Sequence, residues 1–435
     1  MSPSRSSLGR RVLRWLALTA ALCAAAPVWA AEPAPEAAAP PPAAVTPGDI
    51  ERDPWQAPIH DPSATAMRAF HRALAQAEAG KAQLRVAFWG ASHTAADFWT
   101  GHIRRQLQAR TADAGHGYIL PVRWHLGLRH QDVNVRASRD WTVHRHRQLD
   151  PVPVGDFGYG GVAFSSNDPS SFVSISTCTE NVCGRKADRF ELWVRRGPKA
   201  GSLRVVIDGK ARVVRTQAAE EAVGFEAIAL PDGAHEIEFR PVGDGEVYLY
   251  GVVFERSGPG TVVDAMGIPG MRGAIWLNWR LDRFREMVRR RAPHLVVLAY
   301  GTNAVGDDAP AIEAQREAWR EVLLRARAVA PGASCLVIGP TDRPNKPDAG
   351  GVRAPRPRQN AVVQMQREVA AEFGCGHWDA VAAMGGQGSM ARWVQAGLAR
   401  GDWVHLSEAG YTLLAERLLD AMLRGYRPPA APPAR

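Results

Sequence analysis

The sequence periodicity changes in the middle of the chain, and this change limits the folds that the chain can adopt. Residues 84–90, "LRVAFWG", form a continuous apolar run that ends in glycine, and a stretch with helical spacing follows it. Runs of this kind are typical of buried strands in a parallel sheet. The same alternation of apolar runs and helical segments appears again after residue 256. It comprises the runs "HLVVLAYG" and "ASCLVIGP" and helical spacing over 274–291, 309–330 and 358–373. The two flanks predict one α/β domain.

The middle block, residues 156–256, has a period of two. Segments such as "FELWVRR" and "EVYLYGVVFER" alternate apolar with polar residues, and Asp208-Gly209 and Asp232-Gly233 stand where hairpin turns are expected. This pattern predicts an antiparallel β-sandwich. Because α/β sequence flanks the block on both sides, we expect it to be inserted into a domain made of residues 49–155 and 257–425.

The first thirty residues have the composition of a signal peptide. Arginines precede a short apolar core, and "VWA" at residues 28–30 offers a small-residue cleavage site. The core is too short to span a bilayer comfortably. We expect export to the periplasm with cleavage near Ala30, and no transmembrane segment afterwards. An Ala/Pro linker over 31–48 and a flexible tail over 426–435 complete the chain.

Charge and cysteine usage narrow the functional classes. The formal net charge of +9 falls to +5 once the four arginines of the predicted signal peptide, which carries no acids, are removed. No dense basic run is interleaved with aromatic residues, which argues against nucleic-acid binding. Cys178 and Cys183 lie close together in a polar segment of an exported chain and predict a local disulfide.

The remaining cysteines give weaker signals. Cys335 in "SCLVIGP" and Cys375 in "FGCGHWD" have the pattern of positions in buried strands, and two core thiols are a slightly better interpretation than a second bridge. The sequence leaves their redox state open. No Cys/His cluster has zinc spacing, so we expect no metal site.

Three loops after predicted strands carry candidate catalytic residues. Ser92 in "FWGASHTAAD" follows a glycine turn and precedes a helix, as a nucleophile would, although a helix N-cap is the common role of serine there. Asn303 in "YGTNAVGD" can present an amide donor or serve turn chemistry. Gly273 in "GIPGMRGA" can donate its backbone N–H or simply belong to a flexible connection. His93 is adjacent to Ser92 in sequence and would point elsewhere.

The fourth candidate is "GDWVHLSEAGY", residues 401–411, which precedes the last helix. Ser407 is a plausible N-cap for that helix. Asp402 and His405, three apart, are either polar loop residues before a capped helix or the orienting half of a catalytic triad.

The order of these four motifs resembles the SGNH (GDSL-like) hydrolase family. The resemblance implies a three-layer, flavodoxin-like α/β domain, with Ser92, His405 and Asp402 as the catalytic triad. It also implies an oxyanion hole formed by the Ser92 and Gly273 N–H groups and the Asn303 side chain. No metal and no organic cofactor is implied.

Within that family, "GASHTAADFWTGHIRRQLQAR", "AGHGYILP" and the inserted sandwich resemble the periplasmic peptidoglycan O-acetylesterases of Gram-negative bacteria. Two positions depart from them. Ala91 stands where many relatives carry Asp, and Arg272 stands where Asn is usual before the glycine. Because Arg272 directly precedes Gly273, the second departure weakens the match to the family at the position of the backbone donor.

The resemblance implies a serine esterase that removes O-acetyl groups from peptidoglycan, with the sandwich as a carbohydrate-binding-like module. The alternatives are an O-acetyltransferase with the same triad, an esterase for another acetylated polysaccharide, and a non-catalytic carbohydrate-binding protein. The sequence indicates no oligomeric state. Trp89, Trp99 and Trp403 flank the motifs and either stack on sugar rings or, the better interpretation, pack in the protein.

Overall fold

The computed structural model describes residues 45–52, 57–146, 155–177 and 186–428. The predicted signal peptide, most of the linker, Cys178, Cys183 and residues 429–435 lie outside these ranges, so the predictions for them stay predictions.

The strands in the described ranges form three sheets. In chain order they are β1 (Gln83–Gly90), β2 (Gly117–Ile119), β3 (Asn134–Ala137), β4 (Thr142–Arg145), β5 (Val162–Ser166), β6 (Val173–Ser176), β7 (Ala187–Arg196), β8 (Ser202–Ile207), β9 (Lys210–Arg215), β10 (Ala222–Gly233), β11 (Glu236–Pro241), β12 (Val247–Glu255), β13 (Gly260–Gly267), β14 (Leu295–Ala299), β15 (Ser334–Ile338) and β16 (Gly376–Trp378).

Helices surround the first of these sheets. In chain order they are α1 (Pro47–Glu51), α2 (Arg68–Glu78), α3 (Ser92–Ala95), α4 (Phe98–Arg110), α5 (Leu281–Arg291), α6 (Ile312–Val329), α7 (Pro357–Glu372), α8 (Ala380–Met384), α9 (Ser389–Gln395) and α10 (Glu408–Leu423), and a 3₁₀ helix spans Gly273–Asn278. In the ranges given above, no helix combines the length and the apolar character that crossing a membrane requires.

The first sheet is parallel and has the order β13-β1-β14-β15-β16. Counted along the α/β part of the chain, this is the order 2-1-3-4-5 of flavodoxin-like folds. The strand order reverses between β1 and β14, and ligands of such folds bind beyond the carboxyl ends of the strands at that point. The predicted α/β fold is therefore present.

Both faces of the parallel sheet are buried, which explains why its strands are mostly apolar. Alternate residues of β1 belong to two separate hydrophobic clusters. Ala87 and Trp89 contribute to the cluster that contains residues of α5 and α6, whereas Val86 and Phe88 contribute to the cluster that contains residues of α2, α4 and α10. This is a three-layer arrangement.

The other two sheets are antiparallel. One has the order β10-β7-β12-β5-β4, with β2 also paired to β12, and the other has the order β3-β6-β11-β8-β9. Apolar residues of both, such as Phe164 and Leu192 in one and Ile175 and Phe239 in the other, belong to the same hydrophobic cluster. The alternating sequence of the middle block thus forms antiparallel strands.

Two details of the middle block differ from the sequence predictions. The antiparallel region begins at β2, well before the predicted boundary at residue 156. The sequence pattern does not reveal β3 and β4, because both strands are short and largely polar. Asp208 and Gly209 do form a hairpin turn, both with positive φ. Asp232 and Gly233 do not, because they end β10, and the strands on either side of them pair in different sheets.

Cys335 and Cys375 form a disulfide, which corrects the prediction of two thiols. The parallel register pairs Leu336 with Gly376. Each cysteine directly precedes one of these residues, so the two Cα atoms lie only 4.7 Å apart.

A buried ion network joins the parallel sheet to an antiparallel one. The Arg291 guanidinium on α5 pairs with Glu255 on β12 and with Asp264 on β13. Arg85 on β1 reaches the same Glu255 at 2.7 Å, and Tyr159 donates a hydrogen bond to Asp264. Because all four charged groups are largely buried, the network fixes how the two sheets meet.

Candidate active site

Ser92 is held at the carboxyl end of β1, an interior strand of the parallel sheet. It is the first residue of α3, two positions after β1 ends at Gly90. A Cβ at Gly90 would lie 2.1 Å from Thr94 Oγ1, and a Cβ at the neighbouring Gly267 would lie 2.0 Å from the Ala95 backbone nitrogen. The two glycines therefore let α3 start directly against the sheet, and Ser92 is left partly accessible at its edge.

The loops with the other predicted motifs follow the two neighbours of β1. Gly90 pairs with Gly267 at the end of β13 and with Ala299 at the end of β14. The segment before Gly273 and the loop with Asn303 therefore leave the sheet on either side of Ser92. This is the strand reversal point at which ligand sites of such folds lie.

His405 and Asp402 come from the loop before α10 and complete a hydrogen-bonded series. His405 Nε2 lies 2.9 Å from Ser92 Oγ, and His405 Nδ1 lies 2.8 Å from Asp402 Oδ2. An ionised carboxylate only accepts hydrogen bonds, so Nδ1 carries the proton of the neutral ring and Nε2 is the acceptor. Nε2 is then free to accept the hydroxyl hydrogen of Ser92.

The Asp402 carboxylate is fixed by its own loop. Its Oδ1 accepts the backbone N–H groups of Val404 and His405, each at 2.9 Å. Burial raises the pKa of Asp402, but hydrogen bonds from the His405 backbone and ring and from Val404 outweigh it, and the pKa lies below its usual value. The carboxylate therefore stays charged beside His405.

The loop itself is tied to the helix that follows it. The Arg400 N–H donates to the His405 carbonyl at 2.8 Å, and the Ser407 N–H donates to the Leu398 carbonyl at 2.9 Å. Ser407 caps α10 by accepting the Gly410 N–H at 3.2 Å, so the predicted N-cap is confirmed. These contacts hold the imidazole at a set distance from Ser92.

His93 is not placed to act as the base. Its Nδ1 lies 2.8 Å from the Tyr411 hydroxyl, and its side chain is buried. Burial, and then the nearby charge of His405, lowers the pKa of His93 to about 3. His93 is therefore a neutral packing residue behind the site, as the sequence suggested.

Asn303 and the segment before Gly273 are joined by two contacts. Asn303 Nδ2 donates to the Met271 carbonyl at 3.0 Å, which leaves its second amide hydrogen for another acceptor. Arg272 Nε donates to the Asn303 carbonyl at 3.0 Å, and Arg272 Nη2 lies 2.8 Å from Asp308. Arg272, the unusual residue of this motif, therefore links the two loops that carry the predicted donors.

Gly273 starts the 3₁₀ helix, where the N–H has no acceptor within the helix. A Cβ at this position would lie 2.8 Å from Trp319 Cζ2, so the packing leaves no room for a side chain. The position is compatible with the predicted backbone donor.

The predicted tryptophans fall into two groups. Trp89 and Trp99 are buried and pack in the core, as the preferred interpretation held. Trp403 is half-buried, and the Arg353 guanidinium lies 4.8 Å from its ring centroid. Trp124 was not singled out from the sequence, because no motif surrounds it; it is half-buried below Arg145.

One cluster has metal-ligand residue types but does not fit a cation. The potential ligand atoms of Asp97, His116 and His130 lie within 4.8 Å of one another. Both Asp97 oxygens already accept hydrogen bonds, from Thr100 and from the wholly buried Arg104 among others. The buried Arg104 guanidinium already provides the positive charge that balances the Asp97 carboxylate, so this carboxylate does not call for a metal ion.

Comparisons with known protein families and solved structures show what this chain resembles. A family model described as GDSL-like Lipase/Acylhydrolase matches residues 242–413, which include Gly273, Asn303, Asp402 and His405. The comparison with curated proteins found no match.

Two solved structures illustrate the range of structural likeness. One, described as a peptidoglycan O-acetylesterase in action, has 27% sequence identity and a TM-score of 0.66, and the match covers 82% of this chain and 96% of that one. A family two carbohydrate esterase from Cellvibrio japonicus has 11% identity and a TM-score of 0.26, with 67% and 98% covered.

Proposed function

We propose that this chain, an SGNH-type (GDSL-like) hydrolase and esterase that resembles peptidoglycan O-acetylesterases, removes O-acetyl groups from peptidoglycan through an acetyl-serine intermediate. The observation that carries the proposal is the series from Asp402 through His405 to Ser92, with distances of 2.8 and 2.9 Å. The substrate assignment is supported by the match to the peptidoglycan O-acetylesterase structure over 82% of the chain.

In the first step, His405 Nε2 accepts the proton of Ser92 while Ser92 Oγ attacks the acetyl carbonyl carbon. The C–O bond to the sugar breaks when His405 returns the proton to the departing sugar oxygen. Water then attacks the acetyl-serine, His405 takes its proton, and acetate leaves as Ser92 regains its hydrogen. Asp402 stabilises the charged imidazole in both steps.

The oxyanion that forms on the acetyl carbonyl needs preorganised donors. The Ser92 N–H, the Gly273 N–H and the free amide hydrogen of Asn303 belong to the loops that follow β1, β13 and β14. We assign the oxyanion hole to these groups. A donor of this kind is worth about 3 kcal/mol of transition-state stabilisation.

The two antiparallel sheets are the proposed carbohydrate-binding-like module, and the periplasm is the proposed location. The location is supported by the signal-peptide composition of residues 1–30. The Cys335–Cys375 disulfide is in keeping with an oxidising compartment.

The test is to incubate the purified protein with O-acetylated peptidoglycan and, separately, with de-acetylated wall and an acetyl donor. We expect acetate release from the first and no acetyl incorporation into the second, with both measurements repeated for Ser92→Ala. Incorporation without acetate release would identify an O-acetyltransferase, and absence of both would refute the proposed substrate.

A further inference from the structure

A cationic groove runs beside the candidate active site. It has a volume of about 710 Å³ and lies between the segment after β2 and the connection from β3 to β4. The side chains that define it here are Arg123, Trp124, Leu126, Arg136, Arg139 and Trp141. None of these residues belongs to the four catalytic motifs.

The segment that forms one wall also packs on the site. The Arg129 N–H donates to the Ala95 carbonyl at the end of α3 at 2.9 Å. The Arg129 guanidinium lies 5.7 Å from the Phe98 ring centroid, and Phe98 stacks on Tyr411. Burial, Arg145 and then His405 lower the pKa of His125, which belongs to the same segment.

The segment is rich in unneutralised positive charge. Residues 120–146 contain five arginines and two aspartates, a formal excess of three positive charges. Arg123 and Arg139 are exposed, and neither has a carboxylate partner in the described part of the chain. Arg136 lies 3.4 Å from Glu236 and from the Ser174 hydroxyl, and the Arg136 and Glu236 side chains are more than half exposed.

The acidic groups nearby are already engaged. Asp132 lies 3.5 Å from Arg104 and 3.3 Å from Arg105. Asp140 accepts hydrogen bonds from Ser138 and Ser171, which hold its pKa below the usual value. Within the ranges that the structure describes, no acidic side chain therefore neutralises Arg123 or Arg139.

The apolar part of the groove suits a sugar ring. Trp124 is half-buried, with Arg145 4.8 Å from its ring centroid, and Leu126 is 85% exposed. Aromatic faces next to guanidinium groups bind molecules that combine ring surfaces with negative charge. A neutral glycan would contact the aromatic face but would leave the guanidinium groups without a charged partner.

We propose that this groove binds a glycan strand that bears carboxylates along its length, and so selects anionic polymers for the adjacent esterase site. The inference rests on the proposed function for the identity of that polymer, since peptidoglycan carries carboxylates on its peptide stems. Arg123 and Arg139 pair with the carboxylates, and the groove orients the strand whose acetyl group reaches Ser92.

The test measures binding separately from hydrolysis. In a Ser92→Ala background, which retains intact substrate, Arg123→Gln/Arg139→Gln is compared with Arg204→Gln/Arg212→Gln, which removes two exposed arginines from β8 and β9. Each protein is co-sedimented with O-acetylated peptidoglycan and with the same material after its carboxyl groups have been amidated. Circular dichroism and thermal melting check that both variants are folded.

We expect the groove variant to bind native peptidoglycan about fivefold more weakly than the parent and to be indifferent to amidation, as two exposed charge pairs allow. Amidation should weaken peptidoglycan binding by the parent and by the control variant equally. Raised salt should weaken their binding to native peptidoglycan in the same way. The proposal is overturned if the groove variant binds like the control or remains as sensitive to amidation as the parent. Carboxylate-dependent binding without acetate release by the unmodified enzyme would instead refute the proposed function.

Discussion

His405 Nε2 and Ser92 Oγ lie 2.9 Å apart although 313 residues separate them in the chain. Ser92 is placed by β1, an interior strand of the parallel sheet, and His405 by the capped start of α10, which packs on α4. Their approach therefore depends on the assembled α/β domain.

Removing a member of the series should abolish most turnover of a small acetyl ester. We expect Ser92→Ala and His405→Ala each to lower kcat by on the order of 10⁵ or more, and Asp402→Asn by on the order of 10⁴. Because the residues act as a unit, the double variant Ser92→Ala/His405→Ala should be little slower than either single one. Near-normal turnover by Ser92→Ala would exclude it as the nucleophile.

Asn303→Ala tests the proposed oxyanion donor. The free amide hydrogen acts chiefly on charge that develops in the transition state, so kcat should fall by about 10²–10³ with little change in KM. Steady-state kinetics on an aryl acetate separate the two constants. A rise in KM alone would make Asn303 a substrate-binding residue.

Arg272 is expected to position Asn303 without touching substrate. Arg272→Ala removes both the bond to the Asn303 carbonyl and the ion pair with Asp308, and kcat should fall about tenfold at constant KM. Asp308→Asn is the matched control, since it weakens only the exposed ion pair and should change kcat less than twofold. Equal losses in the two variants would show that the ion pair, and not the bond to Asn303, matters.

The Cys335–Cys375 disulfide should stabilise the parallel sheet. The chain-entropy model assigns about 4 kcal/mol to a bridge that closes a loop of this length. We expect Cys335→Ala/Cys375→Ala to lower the free energy of unfolding by roughly that amount while the folded variant keeps its kcat. Urea denaturation measures the first quantity. An unchanged midpoint in non-reducing buffer would show that the bridge contributes nothing.

The buried network around Glu255 should make stability depend on acid pH. Burial raises the pKa of Glu255, but Arg291 and Arg85 outweigh it and hold the pKa far below its usual value. A depressed folded-state pKa stabilises the protein above the unfolded value, so this contribution should be full at pH 7 and decline as pH falls below about 4.5.

Glu255→Gln should lower the free energy of unfolding at pH 7 by about 3–5 kcal/mol, because Arg291 loses a buried partner. The variant should also lose part of the acid dependence. The free energy of unfolding of both proteins is measured between neutral and acid pH. Parallel curves would contradict the assignment of the acid dependence to Glu255.

The motifs of the site were readable from the sequence because they follow an apolar strand or precede a helix N-cap. Ser92 and Asn303 come directly after apolar runs that end in glycine, and Asp402 and His405 precede a recognisable N-cap. The chain order of the strands then places these loops together. Sequence periodicity also separated the parallel from the antiparallel regions.

What the sequence did not reveal depends on contacts between distant segments. The bridge between Cys335 and Cys375 follows from the register of β15 against β16, which has no local signal. Asp232-Gly233 resembles a hairpin turn, yet the strands beside it belong to different sheets. Arg272 appeared only as a departure from the family pattern, and its link to Asn303 is a tertiary contact.

The position of β1 between β13 and β14 sets the order in which this chain can mature. Both partners of β1 are made only after the entire antiparallel region has been synthesised. Until then an apolar strand that is buried on both faces in the final fold has no neighbour to pair with. The nascent chain therefore carries β1 unpaired until residues 260–299 have been made, and a fragment that ends before them lacks both neighbours of β1 in the parallel sheet.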